Sequence, residues 1–185
     1  MLFSASDYAS DRELWKSDGI TTERVKDIIP TTVGSSPFLY DAGVAGGRAY
    51  FSAGATDKGR ELWRSNGTET GTTMVKNIAP GSGSSLPQYM TNLGGTILFQ
   101  ANDGTHGAEL WKTDGTATGT KMVLDIEPGG NGSEPEDLTV VGSTLYFTAQ
   151  TSTEGRELWK TTGTAGSTVR VKNIYPGDFR LTRAG

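Results

Sequence analysis

The sequence comprises 185 residues, carries a formal net charge of −4 and contains no cysteine. Its acidic balance, with a pI near 5.0, argues against nucleic-acid binding, which relies on clustered Lys and Arg to neutralise phosphates. Without cysteine neither disulfides nor thiolate chemistry are available, and the sequence shows neither a signal peptide at its start nor an apolar run long enough to span a membrane.

The tripeptide Glu-Leu-Trp recurs at a fixed interval along the chain. Its four copies begin at Glu13, Glu61, Glu109 and Glu157, so each interval is 48 residues (61−13, 109−61, 157−109). Apolar segments recur with the same period at 1–5, 49–53, 97–101 and 145–149. A period of about 40 to 50 residues with strand-like segments is typical of the blades of a β-propeller.

One unit, read in chain order, predicts four strands. In the fourth copy these are 137–141 (strand A), 144–149 (strand B), 156–160 (strand C) and 168–174 (strand D). Gly and Pro separate the β-rich runs at every junction, and helical periodicity is nowhere sustained. The sequence therefore predicts an all-β chain whose blades are four-stranded antiparallel sheets.

The two ends of the chain predict how the propeller closes. The chain begins inside a strand B, and residues 181–185 resemble the strand A segments of the second and third intervals. We expect the C-terminal strand to pair with the N-terminal blade, which would close the ring and hide sheet edges. The predicted domain is 1–185, with blade 1 at 1–30 plus 178–185, blade 2 at 37–80, blade 3 at 87–128 and blade 4 at 136–176. A domain-swapped pair or an open row of blades is compatible with the same signals.

The repeated segments resemble a known family. They read Glu-Leu-Trp-Lys-Ser-Asp-Gly from Glu13, Glu-Leu-Trp-Arg-Ser-Asn-Gly-Thr from Glu61, Glu-Leu-Trp-Lys-Thr-Asp-Gly-Thr from Glu109 and Glu-Leu-Trp-Lys-Thr-Thr-Gly-Thr from Glu157. This pattern is similar to the bacterial ELWxxDGT tandem-repeat family, and it departs from that pattern at Ile20, Asn66 and Thr162. The resemblance implies a secreted or cell-surface location, and it implies little about mechanism.

The repeated residues themselves predict packing. Side chains alternate along a strand, so the Glu and Trp of each copy share one face and the Leu takes the other. We expect each Trp to fill a seam between blades, where its burial contributes roughly 2 to 3 kcal/mol. The alternative is a set of sugar-stacking platforms. The structural repeat residues are Glu13, Leu14, Trp15, Glu61, Leu62, Trp63, Glu109, Leu110, Trp111, Glu157, Leu158 and Trp159.

A buried Glu beside Trp requires a partner. Arg12, Arg60 and Arg156 precede three of the four Glu residues, and Lys26, Lys76 and Lys172 lie on strand D of the same blades. We expect these cations to pair with the carboxylates. In the third blade Ala108 and Leu124 replace both. Glu109 is then left with a backbone or tyrosine donor, with a single binding site formed with His106, the one histidine, or with simple solvent exposure.

Metal and catalytic signals are weak. Asp18-Gly19, Asn66-Gly67 and Asp114-Gly115 could supply oxygen ligands for calcium, but these dipeptides are also strong turn formers, so we predict turns, no metal and no cofactor. Asp27 and Asp125 occupy equivalent strand D positions and are the best candidate pair of catalytic carboxylates. We nevertheless predict no catalytic residue and no enzyme activity.

Two functions remain. The first is a non-enzymatic binding or adhesion module that presents propeller loops to a glycan, a cell-surface polymer or a protein. Its candidate ligand-binding residues are His106, Glu109, Tyr40 and Tyr89, with Tyr8, Tyr175 and Phe179 as further aromatic candidates. The alternative is a structural assembly unit of a larger surface protein, including a dimer that closes an eight-bladed ring; a monomer is the expected state and a homodimer the alternative.

Overall fold

The described residues of the computed structural model are 1–7, 11–30 and 34–174. They form fifteen β-strands and a single three-residue 3-10 turn, Ala165–Ser167. The strands group into four sheets that follow one another in chain order, and every strand pairs antiparallel with its chain neighbour inside a sheet. The predicted all-β class and the succession of antiparallel sheets are confirmed.

The first sheet has three described strands: β1 (Leu2–Ser6), β2 (Arg12–Ser17) and β3 (Thr22–Lys26). The second contains β4 (Phe38–Ala45), β5 (Arg48–Ala55), β6 (Gly59–Ser65) and β7 (Thr73–Lys76). The third contains β8 (Gln88–Leu93), β9 (Thr96–Asn102), β10 (Ala108–Thr113) and β11 (Lys121–Leu124). The fourth contains β12 (Glu136–Val141), β13 (Thr144–Thr151), β14 (Gly155–Thr161) and β15 (Val169–Lys172). Residues 178–185, the predicted fourth strand of the first sheet, lie outside the described residues, so ring closure by that strand stays a prediction.

Each sheet has one face formed around Trp and one formed around Leu. Phe51 pairs with Trp63 across β5 and β6, and Leu62 points to the opposite side. A β-bulge between the Leu and the Trp leaves Val75 as the extra residue on β7, which lets Val75 join the Leu side. The same register shift recurs in the other three sheets. We call the two sides the Trp face (Phe, Ala and Trp) and the Leu face (Leu, Val and Ile).

The Leu face of one sheet packs on the Trp face of the next. Leu14, Val25 and Ile28 of the first sheet share an apolar cluster with Phe51 and Trp63 of the second. The second and third sheets, and the third and fourth, are joined by equivalent clusters. Of the seam tryptophans, Trp63 and Trp111 are 8% and 6% exposed. These three seams are the hydrophobic core of the described residues; Trp63, Trp111 and the partly buried Trp159 pack in them, whereas Trp15 belongs to none of the three.

The repeated Glu is a hydrogen-bond acceptor for the backbone that leads to the next sheet. Glu61 is fully buried, and its carboxylate accepts hydrogen bonds from Ile78 N at 2.8 Å, Ala79 N at 3.2 Å and Ser85 Oγ at 2.6 Å. Glu13 and Glu109 accept equivalent bonds, with Ser35 and Ser133 in the place of Ser85. Each carboxylate therefore fixes the connection between two sheets.

The prediction that Arg60, Arg156 and Lys76 pair with these carboxylates is wrong. Arg60 donates to the carbonyls of Ser36 and Ser52, and Arg156 reaches Glu134 and Glu136. Lys76 donates to Thr120 O in the next sheet. Backbone N–H groups and a serine hydroxyl satisfy a buried carboxylate without desolvating a second charge, which a Lys or Arg partner would require.

Candidate functional site

Two of the predicted ligand-binding residues, Tyr40 and Tyr89, lie in one pocket. The pocket has a volume of about 410 Å³ and lies between β4, β8 and β12, the strands that begin the second, third and fourth sheets. Its lining residues are Tyr40, Asp41, Ala42, Tyr89, Met90, Thr91, Asp137, Leu138 and Thr139. We call this the tyrosine pocket. It combines aromatic rings with carboxylates and hydroxyls, and none of the described residues that line it is basic.

Irregular backbone in the three strands creates the pocket. The register of β8 and of β12 shifts by one residue, between Gln88 and Thr91 and between Glu136 and Thr139. Tyr89 and Asp137 at these bulges have φ of 56° and 57°, a left-handed conformation that is unusual for a bulky residue. Strained backbone of this kind persists where the surrounding structure enforces it and often marks functional sites.

The second sheet contributes a larger bulge than its neighbours. In β4 the pairing passes from Phe38 opposite Ser52 to Gly43 opposite Tyr50, so five positions on β4 oppose two on β5. The equivalent steps on β8 and β12 span three positions. The first C–D turn is two residues short, and these two additional residues compensate for it, so the 48-residue period is kept. They also place Tyr40 in the pocket, where this residue is 79% exposed.

A stacked arrangement supports Tyr40. The rings of Tyr40 and Phe38 form an edge-to-face contact with centroids 5.7 Å apart, and the guanidinium carbon of Arg60 lies over the Phe38 ring, 4.2 Å from its centroid. Burial lowers the pKa of Arg60, and two carbonyls accept hydrogen bonds from its guanidinium and hold it in place. The exposed Tyr40 therefore packs against a Phe38 side chain that Arg60 holds in place. This contact reduces the side-chain conformational entropy that Tyr40 loses when a ligand binds.

The electrostatics of the pocket are acidic. Desolvation, followed by the charges of Glu136, Asp41 and Asp137, raises the pKa of Tyr89. The phenol is therefore kept neutral and can donate its hydrogen. Asp137 has a partner of its own, because Thr148 Oγ1 donates to its Oδ2 at 3.1 Å. The hydroxyl of Thr91 donates to Leu138 O at 3.4 Å and ties β8 to β12 at the pocket floor.

His106 and Glu109, the other predicted pair, do not share an open site. His106 contacts Asp103 through its Nδ1 at 2.8 Å, and this hydrogen bond, with the charge of Asp103, raises the pKa of His106. Glu109 is fully buried, and both its oxygens accept bonds from Ser133 and the backbone. Burial raises the pKa of Glu109. A ligand at His106 would therefore not contact the Glu109 oxygens.

The Asp-Gly turns are internally satisfied. Asp114 Oδ1 accepts bonds from Thr116 N at 2.8 Å and Thr116 Oγ1 at 2.7 Å, which lower its pKa. Asp18 Oδ1 accepts bonds from Ile20 N and Thr21 N in the first sheet. These are Asx-type turns, in which the carboxylate replaces a backbone acceptor.

The described residues also bring three carboxylates together in the first sheet. The oxygens of Asp11, Glu13 and Asp27 lie within 4.8 Å of one another. The guanidinium of Arg24 lies 3.5 Å from Asp11 and 3.6 Å from Asp27 and supplies the compensating charge, while the Glu13 oxygens accept bonds from Ile29 and Ser35. Hydrogen bonds to Glu13 and the charge of Arg24 therefore hold this cluster. Asp27 belongs to it, whereas Asp125 influences His106 in the third sheet.

Other candidate positions are less informative. A larger cavity of about 830 Å³ borders β1 and β4, and it lies beside the edge strand to which residues 178–185 are predicted to add. Tyr8, Tyr175 and Phe179 lie outside the described residues. Within 1–7, 11–30 and 34–174, no helix has the length and apolar character to cross a membrane.

Comparison with known proteins supports the fold and leaves the function open. No protein-family model matches the chain, and the search of curated proteins gives no match. Among solved structures, the chain is similar to a puromycin hydrolase, with a TM-score of 0.57, 17% identity and 96% of this chain covered. It is also similar to the GH74 xyloglucanase from Xanthomonas campestris, with a TM-score of 0.53, 19% identity and 92% covered.

These similarities define the class of fold. The chain spans about 28% of the length of each of these two enzymes, both of which are of the propeller type. At this identity the likeness shows the fold alone. The chain is a β-propeller built of repeated four-strand sheets, as its 48-residue period predicts.

Proposed function

We propose that the protein is a non-enzymatic binding module whose tyrosine pocket takes an uncharged glycan chain. The observation that supports this proposal best is the convergence of Tyr40 and Tyr89 on one pocket beside Asp41 and Asp137. Flat apolar rings stack on the C–H faces of a sugar, and carboxylates accept hydrogen bonds from its hydroxyl groups. The volume of about 410 Å³ lies within the usual range of small-ligand pockets.

The charge of the pocket selects among the candidate ligands. Asp41, Glu136 and Asp137 create a negative potential around Tyr89, and the described residues that line the pocket include no Lys, Arg or His. An anionic polymer would have to be desolvated against these carboxylates, and the described lining of the pocket offers it no compensating cation. A protein partner would need a surface of roughly 800 Å² on this chain, larger than one such pocket provides. The ligand class favoured is therefore a neutral oligosaccharide.

The experiment is isothermal titration calorimetry with three series of neutral oligosaccharides of six units, namely cello-, xylo- and chito-oligosaccharides. We expect saturable binding by at least one series. Tyr40→Ala and Tyr89→Ala are each expected to weaken it by about tenfold or more, the effect of losing about 1.4 kcal/mol.

His106→Asn is the matched control, because His106 is the alternative predicted site and lies outside the tyrosine pocket. Its affinity should equal that of the unmodified chain. Absence of binding to all three series and to a broader glycan array would contradict the proposal. Binding that is lost in His106→Asn and kept in Tyr40→Ala would move the site to the third sheet.

A further inference from the structure

Among the described residues, the first and the fourth sheet each present a face that no other sheet covers. The Leu face of the fourth sheet contains Leu158, Val171 and Ile174, and Val171 and Ile174 are 43% and 66% exposed. Their equivalents in the second sheet, Val75 and Ile78, are 7% and 4% exposed because the third sheet covers them. The fourth sheet thus carries the residues of a seam without the neighbour that fills it.

The first sheet presents the other of the two faces that form a seam. Its Trp face contains Phe3, Ala5 and Trp15, all partly exposed. The equivalent phenylalanines of the other three sheets, Phe51, Phe99 and Phe147, are at most 1% exposed. In every seam that is filled, a Phe-Ala-Trp face covers a Leu-Val-Ile face. By analogy with the filled seams, the uncovered Leu face is expected to accept a Trp face, and the uncovered Trp face a Leu face.

Polar contacts at the filled seams give the same pairing. Arg64 NH1 donates to Gly115 O at 2.6 Å, and Lys112 Nζ donates to Gly163 O at 2.6 Å. Both cations reach the turn of the following sheet. Lys160 is the equivalent residue of the fourth sheet; it is exposed, and its ammonium group forms no hydrogen bond or ion pair within the described part of the chain. Its equivalent acceptor is the carbonyl of Gly19, in the exposed turn of the first sheet.

We propose that these two faces form an interface between two copies of this chain, with the Leu face of the fourth sheet of one copy on the Trp face of the first sheet of the other. Within the described ranges the Leu face of the fourth sheet is exposed and the Trp face of the first sheet is partly exposed, so the two faces do not cover each other there. A head-to-tail contact closes into a ring when its rotation divides the circle evenly. Two copies supply eight sheets, which lies within the size range of propellers. This interface is independent of glycan binding at the tyrosine pocket.

Sedimentation velocity tests the number of copies. We expect a species of 39.2 kDa, twice the chain mass of 19.6 kDa, that dissociates on dilution. Because Val171 and Ile174 are exposed on the single chain, the double variant Val171→Asp, Ile174→Asp should keep its circular dichroism spectrum and sediment at 19.6 kDa. Val141→Asp changes a residue that is 61% exposed and belongs to neither face, so it should remain a dimer.

Cross-linking tests which faces meet, since the chain has no cysteine of its own. Chains carrying Ile20→Cys and chains carrying Lys160→Cys are mixed and treated with a short bismaleimide. We expect a covalent dimer from the mixture and none from either chain alone.

Three results would overturn the proposal. The first is a monomer at every concentration, which would mean that the faces close on one chain or need another segment. The second is an open series of larger species, and the third is cross-linking within either single-variant sample.

Discussion

Ser85 donates its hydroxyl to Glu61 across 24 residues, with Ser85 Oγ 2.6 Å from Glu61 Oε2. Both residues are fully buried. The serine begins the approach to the third sheet and the glutamate belongs to a strand of the second, so this bond fixes where one sheet ends and the next begins. The same pairing recurs between Ser35 and Glu13 and between Ser133 and Glu109.

Ser85→Ala is expected to lower the free energy of unfolding by about 1 to 3 kcal/mol, because it removes a hydrogen bond to a buried charged acceptor. Urea denaturation followed by tryptophan fluorescence measures the change. Ser82→Ala, at an exposed position in the same connection, should change stability by less than about 0.5 kcal/mol. Equal effects of the two variants would mean that the carboxylate does not depend on Ser85.

Gly67 and Gly115 are equivalent turn positions in different surroundings. Their φ angles are 83° and 90°, but a Cβ at Gly67 meets nothing within 4 Å, whereas one at Gly115 comes within 2.4 Å of Tyr50 Oη in the preceding sheet. Gly67→Ala should cost about 1 to 2 kcal/mol from the left-handed backbone alone. Gly115→Ala should cost about 1 to 3 kcal/mol more, from overpacking the seam. Thermal unfolding of the two variants compares them, and equal costs would argue against the close approach of the third sheet to Tyr50.

The pH dependence of stability should report the pairing of His106 with Asp103. The raised pKa of His106 means that its contribution is fully present below its ordinary value of 6.5 and is lost as the pH rises through the raised pKa. Burial alone would raise the pKa of Asp103, but bonds from His106 and Thr105 lower it, so its contribution is lost only as the pH falls through that lowered value.

The difference in stability between the unmodified chain and His106→Asn should therefore be largest near pH 5 to 6 and shrink above neutrality. NMR titration gives the pKa directly, since the chain has one histidine. A pKa at or below 6.5 would contradict the pairing.

A substitution at Tyr89 should abolish oligosaccharide binding without lowering the stability of the fold. Its φ of 56° is unfavourable for tyrosine and is one that asparagine adopts more readily. Tyr89→Asn is therefore expected to leave stability unchanged or raise it by up to about 1 kcal/mol, while oligosaccharide binding is lost. Destabilisation by more than about 1 kcal/mol would mean that the ring contributes to the packing of the inner strands.

The sequence predicts the sheets better than it predicts the pocket. A strict 48-residue period predicts the strands and the seams, because Trp63, Trp111 and Trp159 each pack against the same kind of neighbour in the preceding sheet. The partner of Glu61 was not predicted, since Ser85 is distant in sequence and the bond depends on the path of the connection between sheets. The tyrosine pocket depends on bulges, and its residues Asp41 and Asp137 give no local signal. The sequence gives one indication of the bulge that places Tyr40: the first C–D turn is two residues short, and the segment that leads into β4 makes up the difference.

The central claim is that residues about 49 positions apart form each seam while sequence neighbours lie on opposite sides of a sheet. Leu62 and Trp111 belong to one apolar cluster, whereas Trp63 belongs to another. A pair of double-mutant cycles tests this with Leu62→Ala, Trp111→Phe and Trp63→Phe, each measured by urea denaturation. We predict a coupling of about 0.5 to 3 kcal/mol between Leu62 and Trp111, and additivity within about 0.5 kcal/mol between Leu62 and Trp63. Additive effects for the first pair together with coupling for the second would contradict the account.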